Sequence, residues 1–67
     1  MKIALTVQIS ELSRDIEQRE REFGEAVGRG KMRAAEAEYR LASLKAALAT
    51  LLFVQEHVET IRTAARA

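Results

Sequence analysis

Residues 41–51 read LASLKAALATL, and the spacing of their leucines decides the fold. Leu41, Leu44, Leu48 and Leu51 recur at steps of three, four and three, and Val58 and Ala65 continue the same seven-residue repeat. An apolar side chain every 3.5 residues draws one nearly straight seam along an α-helix, which a second helix must cover. The covering segment lies upstream, where Leu5, Ile9, Leu12, Ile16 and Phe23 form a stripe with similar steps. Gly28-Arg29-Gly30 stands between the two stripes, and glycine tolerates the left-handed backbone that ends a helix.

The pattern predicts an all-α, coiled-coil-like antiparallel helical hairpin forming one domain over residues 1–67. Its helices are expected over about 4–27 and about 31–65, with the turn at about 28–30. Folding at the turn sets Phe23 near Ala34 and Ala37, Ile16 near Leu41 and Leu44, and Leu12 near Leu48. Ile9 falls near Leu51, Leu5 near Leu52 or Gln55, and Leu44 and Leu48 are expected at the centre of the core. Ile3, Leu5, Val7 and Ile9 also alternate as a strand would, but a lone strand has only another copy of itself to pair with, so helix is preferred. Thr6 or Ser10 is available to cap a later start.

A chain of 67 residues is too short to rely on its own core, and such chains add disulfides, a metal or self-association. It has no cysteine and a single histidine, His57, so association is the remaining source of buried surface. The second segment carries a feature that fits this. Opposite the leucine stripe runs another, of Met32, Ala35, Tyr39, Ala42, Ala46, Ala49 and Phe53, and a helix with one neighbour needs only one stripe. The second helix also outruns the first, leaving Val58 and Ile61 on an overhang beyond His57. These residues together form the expected partner or oligomer interface, with Met32, Tyr39 and Phe53 as anchors and a dimeric four-helix bundle as its product.

The chemistry of catalysis is sparse. Asp15 is the lone aspartate, Glu56 and His57 point about 100° apart on a helix, and Val54 stands where a di-iron motif needs glutamate. Glycines 24, 28 and 30 lack the strand, lysine and hydroxyl context of a phosphate loop. No enzyme activity, no cofactor and no metal site is expected. Eleven Lys and Arg against ten Asp and Glu give a net charge of +1, far from the basic excess of a dedicated nucleic-acid binder. Arg14, Arg21, Arg29, Lys31 and Arg33 are the residues a nucleic acid would have to use, and Glu17, Glu20 and Glu22 are interspersed among them. Asp15–Arg19, Glu17–Arg21 and Arg21–Glu25 are spaced for ion pairs on a solvated face, while Arg19 lies within the apolar stripe with its stem along the seam. The longest apolar run, Ala46 to Val54 broken by Thr50, is about half the ~20 residues that cross a bilayer, and no signal peptide is visible. The chain reads as soluble and intracellular, without membrane contact.

Arg19-Glu20-Arg21, Phe23, Val27, Gly30-Lys31-Met32, Ala35 and the segment Ala46 to Leu51 carry a resemblance. Over roughly residues 8–52 the chain resembles very short proteins encoded in proteobacterial phages and prophages, although Gly24 and Arg33 replace their usual proline and Ser or Thr cap. The resemblance implies a mobile-element context, in the host cytoplasm or associated with a virion. The layout alone is similar to the small plasmid copy-number regulators that dimerise as hairpins and bind paired RNA loops. The expected function is a self-associating interaction protein with a further protein partner, as a virion component or an inhibitor or adaptor of a host system. The alternative is a small RNA- or DNA-binding hairpin.

Overall fold

The computed structural model describes residues 1–66 and contains three helices: α1 (Leu5–Gly28), α2 (Ala34–Glu56) and α3 (Val58–Arg66). Residues 5–9 are the first turns of α1 and not a strand. Ala4 stands at the N-cap without a side-chain bond, and its carbonyl accepts from the amides of Val7 and Gln8, so neither Thr6 nor Ser10 serves as cap.

The turn explains where the helices stop and start. The Gly30 amide donates to the Val27 carbonyl at 3.1 Å, and the Lys31 amide to the Ala26 carbonyl at 2.8 Å. This is the Schellman pattern, with Gly30 at the left-handed position (φ 73°). It consumes Gly30 and Lys31 as end groups of α1, and Arg33 is extended (φ −76°, ψ 140°) with no side-chain cap. The second helix therefore begins at Ala34, three residues later than expected. Nor does it run unbroken to residue 65: His57, at φ −112° and ψ 18°, interrupts it, and α3 continues beyond.

α1 and α2 pack against each other as the two arms of the hairpin. Two side-chain contacts tie them in register: the Arg40 guanidinium lies 4.7 Å from the Phe23 ring centroid, and Lys45 Nζ is 3.6 Å from Glu20 Oε1. The buried centre lies nearer the turn than the leucines suggested. Ile16 (4% exposed), Phe23 (6%) and Ala37 (7%) are buried, whereas Leu41, Leu44, Leu48 and Leu51 are half-buried and Leu52 is exposed. Two helices cover a seam residue from one side only, so a leucine between them keeps an open flank. Phe23 escapes this because Arg40 spreads across its ring, and Ala37 is small enough to be covered by its neighbours.

Among the described residues α3 touches α2 and not α1, as an overhang beyond His57 would. The molecule measures 53 × 22 × 18 Å, with a radius of gyration of 15.9 Å. A compact domain of this length would have about 11 Å. The excess is the length of a hairpin that is two helices thick and nowhere three.

Candidate interaction surface

The second stripe of α2 is bare. Ala35, Ala42, Ala46 and Ala49 are exposed, and so are the two large side chains among them, Tyr39 (75% exposed) and Phe53 (57%). At 3.6 residues per turn the centre of this stripe lies about 160° around the helix from the centre of the leucine seam. α1 occupies one side of α2 and leaves the opposite side open. The polar residues flanking the stripe have already satisfied their hydroxyls. Ser43 Oγ donates to the Tyr39 carbonyl at 2.9 Å and Thr50 Oγ1 to the Ala46 carbonyl at 3.1 Å. Lys45, on the other flank, is drawn back towards Glu20 of its own α1.

The remaining expected interface residues lie beyond the two ends of α2. Met32 sits in the turn and is half-buried. Val58 is half-buried and Ile61 exposed on α3, beyond the break. His57 makes the break a shaped one. Its ring stacks on Phe53 (centroids 4.2 Å, planes 26° apart) and its Nδ1 lies 2.9 Å from the Phe53 carbonyl, to which the protonated nitrogen donates. The same carbonyl accepts the His57 amide at 3.0 Å, so one residue closes the end of α2 twice. The apolar ring of Phe53 is thereby backed by imidazole. Phe53 and His57 stand four residues apart, a spacing that brings side chains together on a helix, but the bond from Nδ1 to the Phe53 carbonyl and the break at His57 are visible only in the structure.

Between α1 and α2 runs an open groove of about 380 Å³, lined by Arg19, Tyr39, Arg40, Ser43 and Leu44. Arg19 donates from Nε to Asp15 Oδ2 at 2.7 Å, and this bond, with the charge of Asp15, raises the arginine pKa above its ordinary value. Its guanidinium is committed to its own helix. Arg40 had no assigned role in the sequence; the signal was its place one turn beyond Ala37, which the hairpin brings over Phe23.

The structure does not gather the basic residues into one site. Arg29, Lys31 and Arg33 are exposed around the turn. Arg14 and Arg21 lie on the outer side of α1, seven residues or roughly 10 Å apart, and Arg14 is paired with Glu11 at 3.3 Å. Of the three ion pairs expected on this helix, only Asp15–Arg19 forms among the described residues. Among those residues no cluster of three His, Cys, Asp or Glu side chains could hold a metal ion, and no helix is long and apolar enough to cross a membrane.

Compared with known protein families, curated proteins and solved structures, the chain gives no match. Its function has to be argued from this surface.

Proposed function

We propose that the chain is a non-enzymatic interaction protein that pairs with a second copy through the exposed stripe of α2 and presents the outer helical surface to a protein partner. The phage or prophage context belongs to this proposal and rests on the resemblance around the turn. In that context the chain serves as a virion component or as an inhibitor or adaptor of a host system.

The observation that carries the reading is the bare apolar face opposite α1, with Tyr39 and Phe53 standing out of an alanine-lined surface. Aromatic side chains dominate the energetics of protein contacts, and alanines beside them let another backbone come close. The total surface supports it. The chain exposes 5511 Å², where a folded monomer of 7.5 kDa exposes about 4,200 Å². The surplus exceeds the roughly 800 Å² that each partner hides in an ordinary protein interface.

Sedimentation equilibrium at micromolar concentration tests the pairing, with a dimer mass expected. Changing Tyr39 and Phe53 together to serine should give a monomer with the helical circular dichroism largely retained. A parent chain that sediments as a helical monomer would remove self-association from the reading. Capture from host lysate, with and without nuclease, tests the rest: a nucleic-acid ligand whose affinity falls steeply with salt would replace it by the RNA- or DNA-binding alternative.

A further inference from the structure

Resting on that reading, we infer that the second copy seats antiparallel on α2, with Ala42 against the partner's Ala46, Tyr39 against the partner's Ala49 and Phe53 against the partner's Ala35. The inference starts from the sizes along the exposed stripe. Ala35, Tyr39, Ala42, Ala46, Ala49 and Phe53 alternate at steps of four and three, which is the a/d spacing of a coiled-coil seam.

In a parallel pair each residue meets its own copy. Tyr39 would face Tyr39 and Phe53 would face Phe53, holding the helices apart at two levels, while the alanines between them would span a gap. Packed interiors do not tolerate such alternation of crowding and void. In an antiparallel pair the a positions of one helix meet the d positions of the other. The register named above sets every large side chain on an alanine and alanine on alanine in the middle, so the helix axes stay evenly spaced. Sliding by one heptad in one direction puts Tyr39 over the partner's Glu56. Sliding in the other leaves only residues 34–47 of α2 overlapped. The chosen register overlaps residues 34–54 of a helix that spans Ala34–Glu56.

The flanks of the seam agree. Around the two-fold axis Ser43 lies beside its own copy, with its hydroxyl already bonded to the Tyr39 carbonyl. On the other flank the register brings Lys45 towards the partner's Lys45, a like-charge approach that Glu20 of the same chain, 3.6 Å away, offsets by drawing the ammonium back. Because the seam lies about 160° from the leucine stripe, the two α2 helices pair at the centre and each α1 lies outside. The four helices then form a row, α1–α2–α2–α1, as the arrangement of the dimeric four-helix assembly expected from the sequence.

The absence of cysteine makes the register testable by single introductions. Ser43→Cys should be joined efficiently to its own copy by a short bismaleimide, and a mixture of Glu36→Cys and Thr50→Cys chains should yield the mixed product. A size swap gives an independent readout. Ala49→Leu should weaken the dimer by about tenfold to a hundredfold by colliding with the partner's Tyr39, and adding Tyr39→Ala should restore it. Dichroism of each chain checks that the hairpin is kept. A dimer that cross-links through Tyr39→Cys or Ala46→Cys but not Ser43→Cys, or a swap that fails to rescue, overturns the register while leaving self-association standing. A parent chain that is monomeric overturns both.

Discussion

Single residues divide into those whose backbone is constrained and those that merely occupy space. Gly30 alone among the three glycines has a positive φ (73°), which an alanine adopts only at a cost. Gly30→Ala should lose about 1–2 kcal/mol, whereas Gly28→Ala, in helical backbone with open space around the added methyl, should gain about 0.5–1 kcal/mol. Urea denaturation of the two variants checks the opposite signs, and equal losses would contradict the Schellman assignment. The same contrast holds for apolar residues. Ile16→Ala removes a buried side chain and should cost about 2–5 kcal/mol. Leu48→Ala removes a half-buried one and should cost about 1–2 kcal/mol, below the full range for buried leucine. A larger loss at Leu48 than at Ile16 would mean that the core is centred on the leucines after all.

Among the elements, α1 and α2 differ in how they end. α1 closes with backbone bonds around Gly30, while α2 closes with a side chain, His57, stacked on Phe53 and bonded to its carbonyl. His57→Ala removes that ring and puts the best helix former at the break. The expected outcome is that α2 and α3 merge, seen as helical 13Cα shifts at residues 56–58. Shifts that stay non-helical would locate the cause of the break elsewhere. The order of these elements was legible in the sequence because heptad spacing is a property of one helix at a time. The break was not, since residues 52–65 keep an apolar helical repeat through His57 and only the imidazole contact departs from it.

At the scale of the whole molecule, length and thickness do not match a self-sufficient domain. With a radius of gyration of 15.9 Å, much of the apolar surface of α2 has nothing to cover it. If a second copy covers it, stability depends on concentration by mass action. Raising the chain concentration a hundredfold should then raise Tm by roughly 5–10 °C, and the Tyr39 and Phe53 double serine variant should lose that dependence. A Tm independent of concentration in the parent chain would argue for a monomer stable on its own.

Periodicity and one turn motif, both local, determined that this chain forms two antiparallel helices around residues 28–30, with a second apolar stripe on the longer arm. Burial was decided by the tertiary structure, because it depends on how many sides of a residue are covered. That placed the core at Ile16, Phe23 and Ala37 instead of at Leu44 and Leu48. The start of α2 at Ala34 and its stop at His57 follow from local hydrogen bonds that periodicity does not encode: Lys31 to the Ala26 carbonyl, and His57 to that of Phe53. A helical wheel can place the two stripes almost opposite each other. The heptad leucines marked the side that α1 covers, and with α1 packed on α2 the other stripe is exposed.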